Sequence, residues 1–214
     1  MIHIENISIF GIHTDVGKTI ASAFITEVLE SDYWKPIQTG VSDCRDTLTV
    51  ASLISNLKTV YHQEAFALQM PVSPHKASRL ENAPIILENI VLPKTNNLLV
   101  IETAGGVYSP VNEYDTMLDL GERLTKQCVL VIKDYLGCIN HTMLSAKILK
   151  DSKLSLKLII FSGNFDADTY RFISQNLKDI PQINLPFFNV LNKKNIKFEA
   201  EKYRKEIKKI FDNQ

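Results

Sequence analysis

One glycine-rich segment constrains this chain more than any other feature of its sequence. Residues 7–25 read ISIFGIHTDVGKTIASAFI: a strand-like run ends at Gly11, and Gly17, Lys18 and Thr19 lead into a helix-like pattern. A phosphate-binding loop needs glycines for the turn, amide N–H groups at a helix N-terminus, a lysine for phosphate oxygens and a hydroxyl for Mg²⁺. The segment is therefore predicted to be such a loop, although five residues separate the two glycines where the usual pattern has about four.

The rest of the chain alternates short apolar runs with segments of helical period. The predicted strands cover 7–10, 34–37, 98–101, 129–132, 158–161 and 183–188, and the predicted helices cover 19–30, 46–55, 113–126, 139–150, 166–178 and 197–211. Continuous apolar strands separated by helices indicate a mostly parallel sheet with helices on both faces. The predicted fold class is therefore three-layer α/β of the P-loop NTPase type. No repeat, low-complexity tract or linker is visible, so residues 1–214 are expected to form one domain.

Charge, cysteine spacing and hydropathy indicate which partners and which cellular compartment to expect. Lys plus Arg and Asp plus Glu each total 24, so the net charge is zero and neither nucleic acid nor an acidic membrane is expected as a partner. The cysteines Cys44, Cys128 and Cys138 have no paired CxxC spacing, which favours reduced thiols. No apolar run approaches the roughly 20 residues of a membrane helix, and the N-terminus lacks a signal-peptide pattern. A cytoplasmic protein is expected.

The basic segment KKNIKFEAEKYRKEIKK, residues 193–209, has two interpretations. It could form a nucleic-acid-binding patch, or it could form a solvated amphipathic helix whose inward face carries Phe198, Ile207, Ile210 and Phe211. The helical spacing of these apolar residues favours the second interpretation.

Two carboxylates are candidates to complete a magnesium site with Thr19. Glu102 ends a predicted buried strand in LLVIETAGG, where folds of this type place an acidic group, and Asp46 begins a predicted helix in CRDTLT. Mg²⁺ prefers few protein ligands together with waters and phosphate oxygens, so these three residues suffice. Asp46 could instead be an ordinary helix N-cap. The neighbouring phosphate loop favours the ligand interpretation.

Lys35 in WKPIQTG stands at the end of a predicted strand and is followed by a proline that holds the backbone rigid. At this place a side chain points into the crevice above the sheet, where α/β proteins bind ligands. A solvated surface lysine is the alternative. Position alone leaves both interpretations open.

Five motifs together resemble those of the dethiobiotin synthetase family. GIHTDVGKT is similar to its extended phosphate loop, KPIQTG to its KP-x-x-[ST]-G strand end, PVSPH to its SPH segment, ETAGGVYSP to its E-x-AGG-x-x-x-P turn, and LGCINHTMLS to its substrate-end helix start. The motifs occur in the family's order between residue 7 and about residue 150. Each motif alone is weak, whereas five in order are specific.

The resemblance implies an enzyme of biotin biosynthesis that carboxylates 7,8-diaminononanoate with CO₂, phosphorylates the carbamate with ATP and closes a cyclic urea. It also implies Mg²⁺ as cofactor, ATP as co-substrate and a homodimer with substrate sites at the interface.

The chain departs from the family pattern at Ile12 and His13, where the family has Thr-Asp, and in the base-binding region, where FSGNFD places Asn164 late and NLPFFN lacks a glycine. Another nucleoside triphosphate therefore stays open as the co-substrate.

The resemblance further implies roles for individual residues. Lys18 would bind the β- and γ-phosphates and the transferred phosphoryl group, and Lys35 would hold the carbamate. Thr14 and Thr39 would hydrogen-bond the carbamate or the γ-phosphate. The nucleotide site would comprise Gly11, Asp15, Val16, Gly17, Lys18, Thr19, Ile20 and Asn164. The substrate site would add Gly105, Gly106 and Val107 and, for the far carboxylate, a clamp partly from a neighbouring subunit, comprising Leu136, Gly137, Cys138, Ile139, Asn140 and Tyr170.

Two other classes of function compete with this interpretation. A partition- or septum-type switch ATPase carries an extra lysine early in the glycine run, and residues 12–16, IHTDV, contain none. An amidoligase of the same superfamily would need an ammonia-generating glutaminase domain, and no such domain fits in this chain. The motifs favour the synthetase. His75 and His141 are expected to be hydrogen-bonded structural histidines instead of acid–base catalysts.

Overall fold

The structure is a computed structural model that describes residues 5–42 and 45–212. Its strands are β1 Ile7–Gly11, β2 Asp32–Trp34, β3 Ile37–Thr39, β4 Tyr61–His62, β5 Phe66–Leu68, β6 Leu99–Glu102, β7 Gln127–Ile132, β8 Ser155–Ser162 and β9 Gln182–Leu185. Its α-helices are α1 Lys18–Leu29, α2 Asp46–Leu53, α3 Pro74–Leu80, α4 Met117–Leu124, α5 Cys138–Asp151, α6 Ala167–Asn176 and α7 Lys193–Asp212, with a 3-10 turn at Leu87–Asn89.

Seven strands form one parallel sheet in the order β4-β2-β6-β1-β7-β8-β9, and β3 and β5 form a separate parallel pair. Every residue of β1, β6 and β7 is buried because helices cover both sides of the sheet. The predicted three-layer α/β fold class is confirmed. The carboxyl end of β1 lies between β6 and β7, so the loop after β1 opens at the centre of the sheet.

Helix α1 is buried around most of its circumference, from Ala21 to Val28. The sheet covers one side of it and α7 packs against another, where the rings of Phe24 and Tyr203 meet edge to face at 6.0 Å. The guanidinium of Arg204 donates to the carbonyl oxygen of Val28 at 2.8 Å. The helix that follows the glycine-rich loop is therefore held rigidly inside the protein.

The predicted strand 34–37 is wrong as a single element. The main-sheet strand β2 ends at Trp34, and the chain leaves the sheet at Lys35 and Pro36 before β3 begins in the small sheet. Proline has no N–H to continue a ladder, and its carbonyl oxygen instead accepts from the Phe66 amide at 2.9 Å. The break turns Lys35 out of the ladder and toward the sheet edge.

Other differences from the predicted elements have local causes. The predicted helix 113–126 is shorter because Thr116 caps it in a reciprocal capping box with Asp119. The strand predicted at 183–188 ends at Leu185, directly before a proline. Sequence reasoning missed β4, β5 and α3, because elements of two to seven residues carry too little periodicity to detect.

The terminal segment forms the amphipathic helix α7, with Ile207 and Phe211 buried as predicted. The predicted inward placement of Phe198 is wrong, because this side chain is 58% exposed. The Lys202 ammonium lies over the Phe198 ring, 4.3 Å from the ring centroid. Ile196 and Ala200 are buried in its place. No helix within the described ranges has the length and apolar character needed to cross a membrane.

Two of the three cysteines lie within the described residues. Cys128 and Cys138 are buried and unpaired thiols, as the reduced-thiol prediction requires, and Cys44 lies outside the described residues. Burial raises the pKa of the Cys128 thiol to about 12, so this group is a packing residue without nucleophilic character.

Candidate active site

The loop between β1 and α1 has the backbone of a phosphate-binding loop. Gly17 caps α1 with a φ of 92°, and Asp15 also adopts a left-handed conformation with a φ of 57°. A Cβ on Gly11 would lie 2.7 Å from a Val16 methyl carbon and 2.9 Å from the His13 carbonyl oxygen. Both glycines are therefore required by geometry, and the loop presents its backbone at the N-terminus of α1.

The first residue after Gly11 still pairs with the sheet. The amide of Ile12 donates to the carbonyl oxygen of Val131 at 3.1 Å, which continues the β1–β7 pairing one residue beyond β1. The Ile12 side chain is buried there, whereas His13 is exposed and lines the cavity above the loop. Ile12 is thus hydrogen-bonded to β7, and the exposed part of the loop begins at His13.

Lys18 connects this loop to the glycine turn after β6. Its ammonium donates to the carbonyl oxygens of His13 at 3.1 Å and of Gly105 at 2.8 Å. Lys18 is only 7% exposed, and burial holds the pKa of its ammonium at about 8, although Glu102 attracts the charge. The two carbonyl oxygens only partly compensate the positive charge of the Lys18 ammonium. The site beside Lys18 therefore favours binding of an anion.

A cluster of oxygen ligands lies beside Lys18. The Glu102 carboxylate accepts from the Thr19 hydroxyl at 2.9 Å, from the Lys35 ammonium at 3.0 Å and from the Tyr33 hydroxyl at 2.9 Å. The Asp46 carboxylate lies 3.0 Å from the same Thr19 hydroxyl and also forms an ion pair with Lys35. Glu102 is 1% exposed and Lys35 is 6% exposed. These four residues, Thr19, Lys35, Asp46 and Glu102, are here called the carboxylate cluster.

The electrostatics of the carboxylate cluster are dominated by opposing effects. Burial acts to lower the pKa of the Lys35 ammonium, but Glu102 and Asp46 outweigh it and raise the pKa above its usual value. Burial acts to raise the pKa of Asp46, and the nearby Lys35 ammonium reverses this and lowers it. Within the carboxylate cluster two carboxylates share one ammonium, and the Lys18 ammonium lies close enough for Glu102 and Asp46 to act on its pKa.

The cluster has the donor set for a hard cation. One hydroxyl proton of Thr19 cannot satisfy both carboxylates at once, so the oxygens are left short of positive charge. Carboxylate and hydroxyl oxygens are the ligands that Mg²⁺ takes in phosphate sites, and Thr19, Asp46 and Glu102 therefore fit this ion. No group of three or more His, Cys, Asp or Glu side chains suited to a metal occurs in the part of the chain that the structure describes.

Two alternatives from the sequence are resolved here. Arg45 is the N-cap of α2, and Asp46 is the first helical residue, whose carboxylate points to Thr19 and Lys35; the N-cap interpretation is wrong. Lys35 is buried and paired, so the surface-lysine interpretation is also wrong. Tyr33 was missed, although it lies two residues before Lys35 in an extended segment and so shares its face.

Most predicted site residues line one cavity of about 1290 Å³. The lining includes Thr14, Asp15, Gly17, Lys18, Thr19, Ile20, Lys35, Thr39, Asp46, Gly105, Gly106 and Val107. Gly11 and Val16 are buried under the loop. Sequence reasoning missed one wall of the cavity, which α5 supplies through His141, Leu144, Ser145 and Ile148. Their helical spacing was visible, but which helix faces the loop depends on strand order.

The predicted carboxylate clamp lies at the other end of this wall. Gly137 caps α5 with a φ of 98°, Leu136 is fully exposed (104%), and Cys138 is buried with its thiol 3.5 Å from an Asp134 carboxylate oxygen. Ile139 is partly buried and Asn140 exposed. Among the described residues that line the cavity, none belongs to the segment 136–140.

Tyr170 and Asn164 also lie away from the cavity lining. The Tyr170 ring packs on Phe161 at 4.7 Å, and its hydroxyl lies 3.4 Å from the Asn184 side-chain amide. Asn164 is exposed two residues after the end of β8, where Ser162 closely approaches Gly17. Asn164 is therefore near the helix side of the phosphate loop, and Tyr170 is on the neighbouring helix α6.

The two histidines differ. The Nδ1 atom of His141 lies 2.8 Å from the Tyr135 hydroxyl, which confirms the hydrogen bond predicted for this residue. The Nδ1 atom of His75 is buried without a partner in the described ranges, so the predicted hydrogen bond is not formed at this atom.

A parallel sheet whose central strand runs through a glycine loop into a buried helix defines the class of P-loop NTPases. Solved structures share this fold along nearly the whole chain: a plasmid partition protein of Borrelia burgdorferi B31 bound to AMPPNP has a TM-score of 0.60 at 13% identity, covering 97% of this chain and 98% of that one. The ATP complex of a Cyanothece McdA variant has a TM-score of 0.59 at 9% identity, covering 99% and 98%. These likenesses show the fold alone.

Sequence similarity identifies the family within this class. A family model described as an AAA domain matches residues 5–189. The ATP-dependent dethiobiotin synthetase BioD of Cytophaga hutchinsonii is 43% identical over 77% of this chain and 80% of its own length, and that of Christiangramia forsetii is 39% identical over 94% and 97%. The chain belongs to the family of ATP-dependent dethiobiotin synthetases.

Proposed function

We propose that this chain catalyses the carboxylation and ring closure of 7,8-diaminononanoate to dethiobiotin with ATP and Mg²⁺. The observation that carries the proposal is the placement of two buried lysines, Lys18 and Lys35, in one cavity beside the phosphate loop. The reaction passes through a carbamate and a carbamic-phosphoric anhydride, and both are anions. Catalysis therefore asks mainly for neutralisation of charge and for alignment of the reacting groups.

The two lysines suit different anions. Lys18 binds only backbone carbonyls, so phosphate oxygens can replace these acceptors without breaking an ion pair. Lys35 is fixed between Asp46 and Glu102, which hold its ammonium charged and orient it into the cavity. In our proposal Lys18 follows the γ-phosphoryl group, Lys35 holds the carbamate, and Thr14 and Thr39 donate hydrogen bonds to the transferred group.

Thr19, Asp46 and Glu102 would hold Mg²⁺, which supplies charge neutralisation for the triphosphate when it is bound. The Tyr33 hydroxyl keeps one Glu102 oxygen in place, so the carboxylate cannot rotate away from Thr19. This hydrogen bond joins β2 to β6 and so holds Glu102 in position for the rest of the cluster.

The predicted clamp for the far carboxylate of the substrate, residues 136–140, lies outside the described lining of the cavity. We propose that Leu136, Gly137, Cys138, Ile139 and Asn140 of a second copy supply it, since amide groups at a helix N-terminus favour a carboxylate. The fully exposed Leu136 side chain fits burial in such a homodimer. Tyr170 is proposed to add a hydroxyl to the same clamp.

The co-substrate is proposed to be ATP, with Asn164 at the base side of the loop. A partition-type switch ATPase has the same fold, but the loop residues 12–16 carry no lysine, and the family relationship favours the synthetase.

Phosphate release tests the proposal directly. The full chain is incubated with Mg²⁺, bicarbonate and ATP, GTP or CTP, each with and without 7,8-diaminononanoate. Phosphate release that depends on the diamine, together with an equal amount of cyclic urea, is the expected result. Hydrolysis at the same rate without the diamine would overturn the proposal in favour of a switch ATPase. Omission of Mg²⁺ with EDTA present should abolish both products.

A further inference from the structure

The residue that replaces the family's usual loop residue, His13, is held in a defined orientation. Its Nδ1 atom lies 3.0 Å from the carbonyl oxygen of Thr14. A carbonyl oxygen only accepts hydrogen bonds, so Nδ1 carries the proton, and Nε2 of the neutral ring is an acceptor. The carbonyl oxygen of His13 in turn accepts from the Lys18 ammonium at 3.1 Å, which places this residue directly beside the phosphate locus.

Two further rings fix the imidazole from outside the loop. The His141 ring is nearly parallel to it, at 17° and a centroid distance of 6.3 Å, and the Tyr135 ring lies 5.9 Å away at 58°. Tyr135 and His141 are joined to each other by the 2.8 Å hydrogen bond. His13 and His141 both line the cavity. Because Nδ1 is engaged with the Thr14 carbonyl oxygen and His13 lines the cavity, Nε2 is the ring nitrogen left to meet a bound ligand.

The carboxylates beside Lys35 and the carbonyl oxygens beside Lys18 are occupied, whereas the Asp15 carboxylate also lines the cavity and is the competing acceptor. Asp46 and Glu102 accept from Lys35 and Thr19, and the carbonyl oxygens of His13 and Gly105 accept from Lys18. Nε2 of His13 has no partner among the residues described. The cavity thus combines phosphate-binding cations with one oriented nitrogen acceptor.

We propose that His13 is a catalytic residue that accepts the proton of the substrate amine during ring closure. The inference rests on the proposed function. The lone pair of the amine nitrogen forms the new bond to the carbonyl carbon of the carbamic-phosphoric anhydride. The carbon–oxygen bond to the phosphate breaks, and phosphate leaves with that electron pair beside Lys18. The attacking nitrogen, now positively charged, gives its proton to Nε2, and the exposed imidazolium passes it to solvent.

Two matched variants separate the functions of the ring nitrogens. His13→Asn keeps a donor at the δ position for the Thr14 carbonyl but has no acceptor at the ε position. His13→Gln places an amide oxygen at the ε position that accepts a hydrogen bond but takes up no proton. The full chain with ATP, Mg²⁺, bicarbonate and diamine is assayed for cyclic urea and phosphate at once, and the ratio of the two products is the readout.

In both variants cyclic urea formation should fall about 100-fold, the usual contribution of a positioned base. Phosphate release should fall less, because water hydrolyses the anhydride that no longer closes. The product ratio therefore drops well below the wild-type value of about one, the stoichiometry of a coupled reaction. A structural role of His13 would lower both products in parallel and leave the ratio unchanged, which would overturn the inference.

Two other outcomes would also overturn it. Full coupling in His13→Gln would show that hydrogen bonding suffices without proton transfer. Uncoupling in Asp15→Asn, with coupling retained in the His13 variants, would assign the acceptor to the neighbouring carboxylate. If the wild-type chain itself releases phosphate without forming cyclic urea, the proposed function fails instead, so the two failures are distinguishable.

Discussion

The two ends of the proposed substrate site are built in different ways. At the phosphate end, Lys18 and the carboxylate cluster are hydrogen-bonded within one chain and at least partly buried, at the starts of α1 and α2, at the end of β6 and directly after β2. At the helix end, Leu136 and Asn140 are exposed at the start of α5, outside the lining of the cavity that the described residues form. The first end is preorganised, whereas the second is an exposed surface of the single chain.

This contrast separates stabilisation of the reacting groups from binding of the part of the substrate that does not react. Preorganised charges stabilise a developing anion without rearrangement, which suits the phosphoryl group and the carbamate. A far carboxylate takes no part in bond formation, so its site can be assembled by association of two copies. Variants at the two ends should therefore fail differently.

The largest effect on stability is expected at Lys35. In Lys35→Met, the buried Glu102 carboxylate and its neighbour Asp46 lose their cation, so the free energy of unfolding should fall by about 3–5 kcal/mol. Urea denaturation measures this, with Lys150→Met at an exposed position of α5 as the matched control. Added Mg²⁺ should restore part of the loss. An unfolding free energy equal to that of wild type would show that the cluster is not preorganised.

Lys18→Met should have the opposite effect on stability while removing activity. Turnover should fall by about 100- to 1000-fold, as for loss of one preorganised donor to a developing anion. Burial holds the pKa of Lys18 at about 8, below its unfolded value of 10.5, so the charged ammonium costs stability at every pH below 8. Without nucleotide, the variant gains stability because the buried charge is gone, and it loses part of this gain with the two hydrogen bonds of Lys18. Its free energy of unfolding at pH 7 should therefore exceed that of wild type by about 1–2 kcal/mol.

The pH dependence gives the sign of this effect. Between pH 8 and 10.5 the folded wild-type protein binds fewer protons at Lys18 than the unfolded chain, so wild-type stability from this group rises with pH. The advantage of Lys18→Met should shrink across this interval in thermal unfolding scans. A constant difference at all pH values would contradict the origin assigned to it.

At the helix end, Leu136→Asp should leave the fold and the nucleotide affinity unchanged, because the side chain is fully exposed. It should weaken association of two copies and raise the KM for the diamine about 10-fold, the loss of about 1.4 kcal/mol of binding. Sedimentation velocity and steady-state kinetics on the same samples measure both. An unchanged KM in a protein shown to be monomeric would place the carboxylate clamp within one chain.

The smallest effect is expected at Tyr170. Tyr170→Phe keeps the ring packing on Phe161 and removes only the hydroxyl, so the KM for the diamine should rise about 3- to 10-fold, as for one hydrogen bond. The turnover number should not change. A fall in turnover with constant KM would connect Tyr170 to chemistry instead of to binding.

Much of the fold and of the phosphate end was predictable from local sequence. The glycine loop, the buried strands and the long helices follow from residue periodicity and backbone preferences, which act over a few residues. The order of strands, and hence the neighbours of a given side chain, does not follow from them. Lys35 and Glu102 are 67 residues apart and meet because β6 pairs beside β2.

The sequence alone predicted a phosphate loop of unusual length after the first strand, and it named two lysines and two carboxylates as candidates for the same site. Three contacts became visible only in the fold: Ile12 donates to β7, Tyr33 donates to Glu102, and the rings of Tyr135 and His141 lie beside His13. The difference comes from the sequence separation over which each interaction acts. Backbone conformation is set by neighbours along the chain, whereas burial, charge pairing and ring packing are set by residues that only the folded sheet brings together.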